Sequence, residues 1–469
     1  MTELIYFFIL MCLFVCLVDI KSGVLITILI GFLQDPIRKL VPGEPVYLSA
    51  LVGLFIASTF LGAQLQRKLI PFSAIAGWNE LLRLPAILFS LWVILECIAT
   101  YMYTGSFVLV GIGLLVYLSI FPAVQLSHSF ALYFDRILSF ISFYVAVCGV
   151  MVLGVYLSYF GFDWRVLESV GETMVVYSAT TGDPIELPSG FFRQPEIAAW
   201  HAGAGACFCL LLGICVRGMA TKLIYGALAI LFFGGVLLTG RRKFLVEIII
   251  FLPLLLVFAW HFRLAIGRIV YAVLGVAFLL LVILLVLNPE LLFSIQDAST
   301  RGIERQGETF DRLYGLTIGS FYYILLENGI LGAGAGLGSG GAQYFAGEGV
   351  GVGFAAEGGF GKVLAELGIP GLIILMWLIF QTQALIRRLL GILSKSELEL
   401  SLVAIGLAAF LVTNVFVFMG AHQVYSDPFI LWLHGSFLGF IFALGNICYK
   451  KLLNDDITTQ QRRLSMAIH

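Results

Sequence analysis

The stretch SFISFYVAVCGVMVLGVYLSYF, residues 139–160, contains no Asp, Glu, Lys or Arg. It is as long as the roughly 20 apolar residues that carry an α-helix across hydrocarbon, and it lacks the period-two polar alternation of a barrel strand. It therefore reads as a transmembrane helix. Further apolar runs occupy 4–17, 46–65, 85–99, 210–238, 244–260 and 269–287. Runs and breaks together place spans near 3–19, 22–33, 46–65, 83–101, 105–125, 136–160, 197–216, 220–239, 244–262, 267–287, 367–386, 400–420 and 428–448, the second of them short. The predicted fold class is all-α: a polytopic membrane helical bundle of about 12–13 transmembrane helices, forming a single integral membrane domain.

Composition agrees with that reading. The 469 residues are 60% hydrophobic and 12% charged, against about 25% charged in soluble domains. A net charge of −1 gives no basic footprint, so nucleic acid is not an expected partner. The eight cysteines lie in or beside apolar runs and read as small packing residues, without the spacing of a disulfide framework or a zinc site. Met1-Thr2-Glu3 lacks the positive flank of a cleavable signal peptide, so the first apolar run is expected to remain in the membrane. No internal repeat or appended soluble domain is evident, and the 450–469 tail is too short to fold alone.

Lys and Arg set the expected orientation. With Lys450, Lys451, Arg462 and Arg463 cytoplasmic, alternation also puts Arg67-Lys68, Arg217 with Lys222, Arg263 with Arg268, and Arg387-Arg388 inside. The outer side then holds two large segments, 162–196 and 288–366, and the turn Gly240-Arg241-Arg242-Lys243. These carry Arg165, Arg193, Arg241, Arg242, Lys243, Arg301, Arg305, Arg312 and Lys362 against the positive-inside rule. An anionic ligand reached from outside accounts for them, because guanidinium groups match phosphate or carboxylate bidentately. For Arg301 and Arg305 the plainer reading is pairing with Glu304, Glu308 and Asp311. For Arg241-Arg242-Lys243 an anion is the better account, since Glu247, four residues beyond Lys243, neutralises only one of three adjacent cations.

The glycine-rich segment ENGILGAGAGLGSGG, residues 327–341, suits either close approach of backbone to a ligand, with Gly336 and Gly338 in an anion-binding nest, or a tight turn between helices. No Lys-Ser or Lys-Thr follows it, so it is not a nucleotide loop. Glu357 stands at the outer end of the next helix, as a usable general base if partly buried or else as an exposed interfacial carboxylate. Arg193, Glu196 and His201 gather where GFFRQPEIAAWH, residues 190–201, enters a span; their number is too small for a metal site. Glu96 and Glu247 are intramembrane acids, functional or locking helices together.

Four segments in order resemble the O-antigen polymerase and O-antigen ligase superfamily of bacterial polysaccharide assembly. They are the 190–201 helix entrance; LTGRR at 238–242, similar to the family's Ser-Gly-Ser-Arg; Arg312 ahead of a helix ending in GILGAG at 329–334; and AELGIPGL at 365–372. The resemblance spans roughly residues 190–375. It implies a metal-independent glycosyltransferase, without cofactor, in the bacterial cytoplasmic (inner) membrane with its site facing outward. The donor would be a polyprenyl-diphosphate-linked glycan such as one on undecaprenyl diphosphate. The partners would be an acceptor glycan, membrane lipids and other polysaccharide-assembly proteins. Arg242 and Arg312 are the matching catalytic arginines, Glu357 the candidate base, and Arg193, Arg241, Lys243, Glu196 and His201 the substrate-binding set.

One position departs from the family. Where the ligases carry a His-Asn pair ahead of their Glu-x-Gly motif, counting back from Glu366 gives Glu357-Gly358. That favours polymerisation of exopolysaccharide or O-antigen repeat units over ligase-type transfer to a lipid or protein acceptor. A transporter or flippase for a lipid-linked or anionic substrate is the competing class.

Overall fold

Apolar side chains cover the outside of this molecule as well as its interior. Along the helix Arg83–Thr104, for example, Leu84, Leu88, Leu91, Leu95 and Ile98 are all exposed. A soluble protein does not leave such a face to water. The chain is a multi-pass membrane protein, an all-α helical bundle.

The computed structural model describes residues 2–132, 134–170, 175–177, 184–262, 275, 320–339, 342, 345, 358–394, 397–420 and 422–468. In chain order the helices are α1 (Thr2–Val18), α2 (Ile20–Leu40), α3 (Leu51–Leu65), α4 (Arg83–Thr104), α5 (Phe107–Leu118), α6 (Ile120–Phe130), α7 (Phe134–Tyr159), α8 (Pro195–Cys215), α9 (Met219–Leu238), α10 (Leu245–His261), α11 (Ser320–Asn328), α12 (Gly359–Leu393), α13 (Leu398–Gly420) and α14 (Pro428–Ile468). Among the described residues eight helices are long and apolar enough to cross a membrane, nine if α5 and α6, bent by 47°, form one span. Three shorter apolar helices accompany them. The span expected at 267–287 lies outside the described residues, apart from Gly275.

Several boundaries differ from expectation for local reasons. α2 does not stop at residue 33; it runs to Leu40 through Pro36. Its polar end survives burial because every charge there has a partner: the Arg38 Nε donates to the Glu44 carbonyl, and the Lys39 Nζ donates to the carbonyls of Val166, Gly190 and Phe192 at 3.1, 2.7 and 2.7 Å. Asp19 caps the start of α2, accepting from the Ser22 N–H at 3.0 Å, as a short acidic side chain does for an orphan helix donor. α12 begins earlier than expected and breaks at Gly368, where φ is 65° and ψ −171°. The tail beyond Lys451 is helical and continues α14.

The bundle is built around α8, which is buried along nearly its whole length. Its run of Ala and Gly lets neighbours approach closely, as small residues do in membrane bundles. A Cβ at Gly205 would meet the Phe232 ring at 2.8 Å, and a Cβ at Gly203 would meet the Glu247 Oε2 at 2.5 Å. The eight cysteines are free thiols. A short antiparallel hairpin, Val175–Tyr177 with Pro184–Glu186, lies in the segment between α7 and α8.

Candidate functional site

One end of the bundle collects the last turn of α2, the start of α8, the α9–α10 turn, the start of α12 and the 422–427 turn before α14. Sequence-predicted site residues meet here, and each brings a partner.

Arg193 sits between two carboxylates. Its Nη1 lies 3.2 Å from the Asp35 Oδ1 and its Nη2 2.6 Å from the Asp427 Oδ2, with side-chain exposures of 15%, 4% and 1%. Its backbone N–H also donates to the Asp35 Oδ2 at 3.0 Å. Burial opposes the guanidinium charge, but Asp427 and Asp35 outweigh it and hold the group protonated beyond its ordinary range. Asp427 does more than balance that charge, because its Oδ1 accepts from the Phe429 N–H at 2.7 Å and caps α14. Arg193 is thus a structural clamp between α2, α8 and α14, with its charge already matched.

Arg241 is placed differently. Its Nη2 stands 2.9 Å from the Glu196 Oε1, yet Nε and Nη2 of Arg241 and the Glu196 Oε2 are buried without a hydrogen bond among the described residues. The ion pair is close but oblique, so the charge is balanced while the directional donors are not used. Arg242 opens the turn Arg242–Phe244, and its side chain lies outside what the structure describes. Lys243 is exposed, and its Nζ donates to the Gly420 carbonyl at the end of α13, 3.1 Å away. It does not pair with Glu247 as its spacing suggests. Glu247 turns inward, fully buried, and accepts from the Asn414 Nδ2 at 3.2 Å.

Asn414 is the hub of a second buried network that the sequence did not reveal. Its Oδ1 accepts from the Trp200 Nε1 at 2.8 Å and the Tyr425 hydroxyl at 2.7 Å. His201 lies deeper along α8, 1% exposed, bonded through Nδ1 to the Tyr144 hydroxyl at 3.0 Å and surrounded by Phe32, Phe192 and Phe429. It is a packed interior residue, walled by rings just inside the Arg193 clamp.

The glycine-rich segment approaches helices. The Gly334 N–H donates to the Glu366 carbonyl at 3.1 Å, and the Gly338 N–H donates to the Glu366 Oε1 at 2.6 Å. Gly336, at φ 95°, lies against α5, where a Cβ would meet the Leu109 carbonyl oxygen at 2.7 Å. The anion held by Gly338 is the chain's own Glu366. That carboxylate also accepts from the Tyr117 hydroxyl and lies 4.0 Å from the Lys362 Nζ, which in turn donates to the Ser426 Oγ. Ser426 and Asp427 are adjacent, so the turn before α14 ties Lys362 to the Arg193 clamp.

Beside Lys362 an apolar cavity of about 300 Å³ opens among α4, α5, α6, α12, α13 and α14. Trp78, Phe89, Phe360 and Phe418 give it an apolar wall, and Lys362, Asn414, Tyr425 and His434 give it polar points. Glu357 and Arg312 lie outside the described residues. Among the described residues no group of three or more His, Cys, Asp or Glu could hold a metal ion.

The structure therefore brings Arg193, Glu196, Arg241 and Lys243 to one end with Lys362, packs His201 and Gly336 against neighbouring helices, and sets the Gly338 N–H on the Glu366 carboxylate. Sequence reading missed Asp35, Asp427, Asn414, Tyr425 and Glu366 as partners. Asp427 carried a readable signal, since Asp-Pro at 427–428 is an N-cap followed by a first-turn proline. No protein-family model matches the chain, and no curated protein matches it.

Proposed function

We propose that this chain is a membrane glycosyltransferase that polymerises lipid-diphosphate-linked oligosaccharide repeat units of exopolysaccharide or O-antigen at the outer face of the cytoplasmic membrane. The observation that carries this reading is the meeting of Arg241, Lys243 and Lys362 at one end of the bundle, which the Arg193 clamp holds together, next to an apolar cavity that Lys362 itself lines. An anionic head on an apolar chain suits that combination. Arg241, whose donors Nε and Nη2 make no hydrogen bond among the described residues, is the guanidinium suited to a diphosphate, with Arg242 in the same turn.

In the proposed step an acceptor hydroxyl oxygen attacks the anomeric carbon of the donor glycan. The bond from that carbon to the diphosphate oxygen breaks, and its electron pair leaves on polyprenyl diphosphate. The hydroxyl proton passes to a carboxylate, for which Glu357 is the candidate. Fixed cations lower the barrier by stabilising charge that develops on the leaving diphosphate.

A transporter is the second reading, favoured by the break of α12 at Gly368 and the 47° bend between α5 and α6, since discontinuous helices frame many transport sites. Purified protein in sealed liposomes with lipid-linked repeat units separates the two. Longer glycans formed without an energy source support transfer. Relocation of unextended units across the bilayer supports transport and removes the transferase.

A further inference from the structure

The segment between α7 and α8 carries a second cavity, about 380 Å³, more polar than the apolar one and lined by two acids. Tyr159, Phe162 and Trp164 contribute rings to its wall, Asp163 and Glu168 carboxylates, and Ser169 a hydroxyl. The three aromatic side chains are half exposed or more, and Phe162 and Trp164 stand edge to face with centroids 6.0 Å apart. Among the described residues no Lys, Arg or His lines it.

This pocket is held in shape from below. Leu167, Leu187 and Ser189 form a buried floor, and the Ser169 Oγ donates to the Ser189 Oγ at 3.2 Å. Beneath that floor Lys39, itself 1% exposed, fastens both sides of the segment through the carbonyls of Val166 and Gly190. Leu187 also packs on the Gly240 turn, where a Cβ would meet its Cδ2 at 2.7 Å. The pocket thus adjoins the turn that carries Arg241.

We infer that this pocket is a saccharide subsite that takes a neutral sugar unit of the acceptor glycan. Aromatic rings offer flat apolar faces to the C–H side of a pyranose, and each carboxylate can accept from vicinal hydroxyls. Two acids with no cation among the described lining residues, and with only the buried Lys39 beneath the floor in electrostatic reach of Glu168, disfavour a diphosphate or a uronate, so charge divides the labour: diphosphate at the Arg241 end, neutral sugar between Trp164 and the acids. The volume falls in the range of about 300–1,000 Å³ for small-molecule sites. Its role as acceptor subsite rests on the transfer reading above; its binding of sugar does not.

Saturation-transfer NMR on the full-length protein in nanodiscs tests it, with maltotetraose and chitotetraose as neutral probes and trigalacturonate as the anionic one. The expected result is transfer to at least one neutral probe and none to trigalacturonate. That signal falls about fivefold in Trp164→Ala and likewise in Asp163→Asn/Glu168→Gln, with unchanged unfolding temperature. No transfer to either neutral probe, an equal signal in Trp164→Ala, or a preference for trigalacturonate overturns the inference. So does quenching of Trp164 by brominated lipid with no response to sugar, which makes these rings an interfacial belt. Because no bond is formed in this assay, its failure leaves polymerisation standing. Sugar binding by a protein that makes no polymer has the opposite meaning.

Discussion

Replacing Arg193 by Met removes one charge and strands two. Asp35 and Asp427, 4% and 1% exposed, would face each other without the guanidinium between them, with only Lys39 left in electrostatic reach of Asp35, and breaking a buried pair in this way costs about 3–5 kcal/mol. The backbone donations to Asp427 from Phe429 and to Asp35 from Arg193 itself survive the change, which argues for the lower half of that range. Neutralising the acids as well, in Asp35→Asn/Arg193→Met/Asp427→Asn, removes the stranded charge, while the amide oxygen introduced by Asp427→Asn can still cap α14. The triple variant should therefore be more stable than Arg193→Met alone by about 1–3 kcal/mol. Equilibrium unfolding of the purified protein in mixed micelles, titrated with denaturing detergent, measures both. A loss under about 1 kcal/mol for Arg193→Met, well below the cost of stranding buried charge, or a triple variant weaker than the single one, would refute the clamp and return Arg193 to the pool of free ligand-binding cations.

Other outcomes rest on the same contacts. Gly336→Ala should lose about 1–2 kcal/mol from its left-handed backbone alone, plus the clash with the Leu109 carbonyl, whereas Gly391→Ala, with nothing within 4 Å of the new methyl, should be neutral or stabilising in the same titration. Glu247→Gln keeps an acceptor for Asn414 and should unfold like wild type; Glu247→Ala leaves the Asn414 donor short and should cost about 1–3 kcal/mol. Arg241→Gln should cut polymer yield about 100-fold per folded molecule, read by gel analysis of product from reconstituted protein; it also strands the Glu196 carboxylate and should lower the unfolding midpoint, a loss that adding Glu196→Gln reverses without restoring yield. Glu357→Gln should shorten or abolish product in a complemented deletion strain, and an unaltered chain-length distribution takes Glu357 out of the chemistry.

The helices were legible wherever apolar residues ran unbroken, because hydrocarbon imposes one length and one hydrogen-bonding solution on each span. α7 and α13 start and end close to where their apolar runs do. Legibility failed where a helix continues through polar residues: Asp35 and Lys39 look like a loop until partners more than a hundred residues away are known. The gathering of cations was legible as an exception to charge sidedness. Their pairing was not, since Arg193 meets Asp35 across 158 residues and Asp427 across 234. Glycine density announced close backbone approach but not its target, which for Gly336 is α5 and for Gly338 the Glu366 carboxylate. The pocket between α7 and α8 had no periodic signal, because apart from Tyr159 at the end of α7 its rings and acids lie on an irregular turn.

The central claim is that cations at this end hold a diphosphate as it leaves. Phosphorus NMR of liposomes containing the protein and lipid-linked repeat units, with a chelator present and no nucleotide or ion gradient, follows that event directly. The account predicts release of free polyprenyl diphosphate in step with glycan lengthening, and its near-disappearance in Arg241→Gln. A phosphorus spectrum that stays unchanged in the presence of active wild-type protein, or release that ignores the loss of Arg241, contradicts it.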